Sequence, residues 1–195
     1  SLGVERYLAL RSAFGKMPLA KFTAQVKAAV RKGDFAEAHK LCDKMQGSVA
    51  NVVSASLSTY EEMEKTTGIK KSQKVAKIQQ AHEEATQLEM PTLQMNLPIV
   101  ATIVTLGTLT ALFGTVVGMI RSFAALAAGG GADSQALSTG ISEALVNTAS
   151  GILTSWFAVV IYNFFTNKID KLTYALDEVG YTIAQTYEAN HGEEA

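Results

Sequence analysis

One cysteine, Cys42, and three prolines are found among 195 residues. A lone cysteine excludes an intrachain disulfide and suits a reducing, cytoplasmic setting for the segment that holds it. Histidine is scarce as well. His39, His82 and His191 fall on polar helices or in the tail, at no metal-ligand spacing, and are expected at the surface. There is no phosphate-binding loop, because GGGADS lacks the lysine and the strand–turn–helix setting. No nucleophile stands with a base. An enzyme is therefore not expected, and neither is a cofactor or a metal. No basic stretch is interleaved with aromatics, so nucleic acid drops out as a partner.

Charge is missing where it matters most. Residues 98–120, PIVATIVTLGTLTALFGTVVGMI, carry none at all. A bilayer core needs about 20 consecutive, mostly apolar residues, so this run reads as a spanning helix. A second apolar run, 136–165, has Glu143 as its only formal charge. Between them AAGGGADSQ is Gly-rich and without Lys or Arg. Every Lys and Arg except Arg121, Lys168 and Lys171 lies in residues 1–95. The positive-inside rule then puts the loop outside and both ends of the hairpin in the cytoplasm. The expected organisation is a cytoplasmic helical domain (1–95), a transmembrane helix (96–127), a periplasmic loop (128–135), a second transmembrane helix (136–166) and a cytoplasmic amphipathic helix with its tail (167–195). No cleavable signal peptide is read, and a start at Ser1 without methionine suggests an upstream piece.

Strand-like alternation is also lacking, so the fold class is all-α: an integral membrane protein whose long helices extend into a cytoplasmic helical domain. RKGDFAEAHKLCDKM (31–45) reads as a helix end, a turn, and a new helix capped by Asp34, with Phe35, Ala38, Leu41 and Cys42 on one face. It is similar to half of a tetratricopeptide repeat, but no second copy follows at a fixed period. Lys70, Lys71, Lys74 and Lys77 share one side of a helix expected to run on into the membrane near Leu97. At 1.5 Å per residue Lys74 then lies on the order of 30 Å from the bilayer, so a solvated face is expected. Phe165, Ile169, Leu172, Leu176, Val179 and Ile183 step by four and three. Such a seam wants a partner, either this chain's 72–95 helix or a neighbouring copy.

The polar residues inside the spans carry the functional signal. Gly107, Ala111, Gly114 and Gly118 form a small-residue face that lets another helix approach. Thr108 and Thr115 lie beside it. In the second span Glu143, Asn147, Ser150 and Thr154 make a polar stripe, flanked by Thr148 and Ser155. Any one hydroxyl could be interhelical glue or bond back to its own helix. An intramembrane carboxylate costs at least ~2.5 kcal/mol near a helix centre and usually faces an interior or a watery cavity. Two polar lines with a carboxylate therefore favour an ion-conducting or partner-lined interior.

LTALFGTVVGMIRSF (109–123), GISEALVNTASGI (140–152) and AVVIYNFF (158–165) resemble the ExbB/TolQ/MotA proton-channel family, most nearly its ExbB members from the TonB energy-transducing system. The match falls on Gly114, Thr115, Val116, Gly118, Met119, Phe123, Gly140, Ala144, Leu145, Thr148 and Gly151. VERYLALRSAF (4–14) resembles the segment after the family's first membrane helix. The chain departs from the family at Thr108 and Phe157, where prolines are usual, and at Asn147, where a small apolar residue is common. The resemblance implies an upstream membrane helix and a ring, thought to be a homopentamer, around an ExbD-like single-span partner whose membrane aspartate takes up and releases the proton. It further implies a bacterial inner-membrane location and coupling to a TonB-like protein. Thr115 and Thr148 match the family's pore-facing threonines, and Glu143 its membrane glutamate. Asn147 and Thr108 join them as expected pore-lining residues. The transported ion is expected to be H⁺. TolQ-like or gliding-motility output is the alternative within the class, and a non-conducting membrane scaffold the alternative outside it.

The charge asymmetry makes a labelling prediction. A cysteine at Asp133 should react with an impermeant thiol reagent from outside, whereas Cys42 and a cysteine at Glu188 should not. Labelling at Glu188 from the periplasm would reverse the hairpin.

Overall fold

Asp34 closes one helix and opens the next. In the computed structural model, which describes residues 16–128 and 134–191, α1 spans Leu19–Arg31 and α2 spans Phe35–Met45. Gly33 takes φ +75°, a left-handed conformation that glycine adopts without a Cβ penalty. Its N–H then reaches the Val30 carbonyl at 3.0 Å, and the Asp34 N–H reaches the Ala29 carbonyl at 3.0 Å. This is a Schellman end, which satisfies carbonyls the helix would leave open. The Asp34 carboxylate accepts from the Glu37 N–H at 3.0 Å and caps α2. The stretch 4–14 and residues 129–133 of the expected outer loop lie outside the described residues.

Two units emerge from the chain. The first holds the described residues up to Met95 and those from Asn167 on; the second is Asn96–Thr166. Among the described residues all regular structure is helical. In the first unit α3 (Ser48–Lys65) and α4 (Lys71–Gln94) follow α2. The apolar positions of α1 and α2, including Phe22, Val26, Leu41 and Met45, are buried, as their helical spacing requires.

The long α6 spans Ser134–Asn190 and contributes residues to both units. Its Ile169, Leu172, Leu176, Val179 and Ile183 are all buried. Their partner is this chain itself. Thr173 Oγ1 donates to Met90 Sδ on α4 at 3.8 Å, and Tyr187 Oη donates to the Met63 carbonyl on α3 at 3.2 Å. Rings close the end of the bundle: Tyr60 lies 4.5 Å from Phe35 and 4.8 Å from Tyr187, centroid to centroid. Lys27 of α1 pairs with Glu178 of α6.

Three expectations need correction. The helix starting near Lys71 does not run into the apolar span: it ends at Gln94, and α5 (Leu97–Ala128) begins afresh. Asn96 turns the chain at φ +66°. Pro98 sits in the first turn of α5, where a proline is accommodated, whereas Pro91 lies inside α4 without ending it. His82 is not at the surface. It is buried, bonded to Ser56 of α3, and lies against Gly180 of α6. His39 and His191 remain partly accessible, the latter stacked on Tyr187 at 4.2 Å. Cys42, finally, is no test of sidedness. Burial, reinforced by the Asp43 charge, pushes its thiol up to about 12, so it stays protonated and unreactive from either side.

The Asp34 cap generates a stability prediction. Asp34→Ala should cost roughly 1 kcal/mol and Asp34→Asn much less, since asparagine also caps. Thermal unfolding of the detergent-solubilised chain measures both; equal losses would mean that the carboxylate does more than cap.

Candidate ion pathway

Small residues set the distance between α5 and α6. The contacts are antiparallel and repeat by four and seven: Gly107 meets Ser155, Ala111 meets Gly151, Gly118 meets Ala144, and Ser122 meets Gly140. A Cβ on Gly151 would stand 2.1 Å from that of Ala111 and 2.8 Å from the Gly107 carbonyl oxygen. Such backbone approach is how helices pack where lipid removes the hydrophobic drive. Gly107, Ala111 and Gly118 therefore serve the chain's own second span. Gly114 stands at the side, where a Cβ would lie 3.4 Å from the Asn147 amide nitrogen. The complementary set on α6 (Gly140, Ala144, Gly151, Ser155) was readable in the sequence as small residues at the same period.

Hydroxyls bridge the two helices. Thr108 Oγ1 and Ser155 Oγ are 2.9 Å apart, and Ser155 Oγ is 2.8 Å from the Val104 carbonyl oxygen. Two turns along, Thr115 and Thr148 bond to each other. Thr115 also reaches the Ala111 carbonyl at 3.0 Å, and Thr148 the Ala144 carbonyl at 3.3 Å. Each hydroxyl has one proton and two lone pairs. The hydrogen bond between them can therefore run either way. Either Thr115 donates to Thr148, which donates to Ala144, or Thr148 donates to Thr115, which donates to Ala111. Switching between them reverses the direction of the hydrogen bond and moves no heavy atom.

Glu143, Asn147, Ser150 and Thr154 lie elsewhere. All four are exposed in the single chain. They line two joined grooves on the hairpin, of about 710 Å³ and 570 Å³, which share Phe113, Gly114 and Asn147. Arg121 lines the first groove with Glu143. Thr108, Thr115 and Thr148 line neither groove. At about 100° per residue, Asn147 and Thr148 fall on opposite sides of the Ala144–Gly151 contact line. The hairpin thus has two polar sides, one of paired hydroxyls and one holding the carboxylate. The sequence placed all of these residues along one interior. Its periodicity carried no sign for the side of the contact line. Among the described residues no three His, Cys, Asp or Glu side chains are grouped to hold a metal. Large apolar side chains, among them Leu109, Ile120, Leu145 and Trp156, are exposed around the hairpin, as contact with lipid requires.

Residues 45–178 match the family described as the MotA/TolQ/ExbB proton channel family. The chain belongs to that family. All of α5 and residues 134–178 of α6 fall within the match. Three relatives show the range within the family. A putative biopolymer transport protein, ExbB-like 3, of Synechocystis sp. is 37% identical over 87 residues, covering 44% of this chain and 41% of that protein. The Tol-Pal system protein TolQ of Pseudomonas aeruginosa is 29% identical over 143 residues, 72% of this chain and 59% of its own length. The biopolymer transport protein ExbB of Salmonella typhimurium is 38% identical over 79 residues, 40% of this chain and 32% of its own. The chain therefore spans less than two thirds of these relatives.

The Gly151 contact is directly testable. Gly151→Ala should destabilise the hairpin by roughly 1–3 kcal/mol through overpacking, and adding Ala111→Gly should restore only part of the loss, because the Gly107 carbonyl oxygen still meets the new Cβ. Thermal aggregation in detergent measures both. An unaffected Gly151→Ala would show that the helices are not held at this distance.

Proposed function

We propose that this chain is the channel subunit of an inner-membrane motor. It lets protons run down their gradient together with an ExbD-like single-span partner, and the work is delivered to a TonB-like protein that serves outer-membrane transport. The observation that carries this reading is the Thr115–Thr148 pair, two hydroxyls that bond to each other between the two spans. Threonine does not itself ionise here. Its part is to hold a water or a partner's carboxylic acid and to reverse hydrogen-bond direction as a proton passes. Thr108, bonded to Ser155, extends that polar side. An assembled ring, proposed as a homopentamer, keeps this side in the interior. Glu143 and Asn147 belong to the grooved side. A carboxylate facing lipid is costly, so a helix of a neighbouring copy or of the partner covers the groove and shares its polar route.

TolQ-like output is the second reading, favoured by the longer stretch of likeness to the TolQ protein. The proposed ion chemistry is the same in both cases, and the partner's outer domain would set the output.

Thr148→Val keeps volume and β-branching but removes donor and acceptor. Polar contacts in membranes average ~0.6 kcal/mol, so one lost hydroxyl should leave the oligomer and its bound partner intact. A tenfold loss of flux needs only about 1.4 kcal/mol less stabilisation of the moving charge. Thr148→Val, and more so Thr115→Val/Thr148→Val, should therefore cut proton flux in liposomes at least tenfold while native mass spectrometry shows a normal complex. Full flux, or a dissociated complex, sinks the assignment. Glu143→Gln separates the two polar sides: retained flux makes the carboxylate structural.

A further inference from the structure

His82 has an unusual place among the ionisable groups of the helical unit. It is 6% exposed, on α4, with Nδ1 2.9 Å from Ser56 Oγ of α3. Ser56 Oγ is also 3.0 Å from the Val52 carbonyl oxygen, which only accepts. Where the single hydroxyl proton goes to that carbonyl, Nδ1 carries the imidazole proton and donates to Ser56. A bare lone pair is left on Nε2. That nitrogen is buried and has no hydrogen-bond partner. Gly180 of α6 faces it: a Cβ there would be 2.5 Å from both Nε2 and Cδ2. The ring thus fills the space of the side chain that residue 180 lacks, and three helices meet on it.

We propose that His82 is a protonation-sensitive latch: neutral, it holds α3, α4 and α6 together, and protonated at Nε2 it forces α4 and α6 apart. A proton on Nε2 creates a donor and a full charge where no acceptor stands, and only outward movement brings water to it. The charged groups around the ring do not offset this. Asp177 of α6 and Glu83 of α4 both favour the charged form, but both are exposed. On α3 the stretch 52–59 holds no ionisable side chain. Burial dominates and lowers the His82 pKa from its ordinary 6.5. The sign follows from that direction. The opened form binds the proton more readily, so the contact is at full strength above about pH 6.5 and weakens as pH falls towards the folded-state pKa. The latch acts on α6, the helix that carries Thr148, and it stands whether or not the ion-route reading holds.

Hydrogen exchange on the full chain in detergent micelles tests it. After correction for intrinsic rates, amides of 78–86 and 176–184 should open about tenfold more per pH unit below 6.5, down to the folded-state pKa, while α1–α2 amides stay unchanged. His82→Gln, if it folds, should lose the acid response at α4 and α6. The wild type decides the matter on its own if the variant does not fold. Equal acid loosening of α1–α2, no change between pH 7.5 and 5.5, or a His82→Gln chain that keeps the response would each overturn the latch.

Discussion

The hairpin depends on backbone contact between α5 and α6 at Ala111 and Gly151. In lipid, apolar side chains gain little from leaving one apolar neighbour for another, so close approach and hydrogen bonds must hold the helices. At this separation Ser155 reaches the Val104 carbonyl and Thr115 reaches Thr148. Push the helices apart by one methyl group and the bridging hydroxyls turn back to their own carbonyls. The same contact thus sets the packing and the polar chemistry.

The helical unit is held on different terms. Its core is apolar burial in water, with Tyr60, Tyr187, Leu172 and Leu176 almost wholly enclosed. Polar groups enter it only in small numbers and nearly always in pairs, as Tyr187 does with the Met63 carbonyl. His82 is the exception, with one nitrogen satisfied and the other not. Hydrophobic burial stabilises this unit broadly, whereas the hairpin rests on a few points of contact. A conservative substitution is therefore tolerated differently in the two.

Much of this was legible in the sequence, and the failures have physical causes. The spans followed from missing charge, the Asp34 cap from its residue type, and the α6 seam from its steps of four and three. His82 was misplaced because its neighbours in sequence are polar. Burial came from Gly180, which is distant in the chain, and a single glycine gives no sign of what fills its place. The break at Asn96 was signalled by Pro98 but was outweighed by the continuous helical pattern on either side. The small-residue face on α5 was read as a place of close approach. Its mate was the chain's own second span, which one-dimensional spacing cannot tell from a neighbour. Likewise the polar stripe and the threonine pair share a period, and only the register of α5 against α6 puts them on opposite sides.

The polar character of α6 also gives the order of synthesis a meaning. The ribosome releases α5 first, a run whose residues 98–120 are free of charge and suited to enter a bilayer alone. Glu143, Asn147 and the hydroxyls of α6 follow, a poorer candidate for hydrocarbon by several kcal/mol on insertion scales. By then α5 offers the Val104 carbonyl, the Thr115 hydroxyl and a glycine-lined face to receive it. The first span thus serves as the second one's insertion partner. A chain with the two helices exchanged would present its carboxylate to lipid before α5 stood beside it.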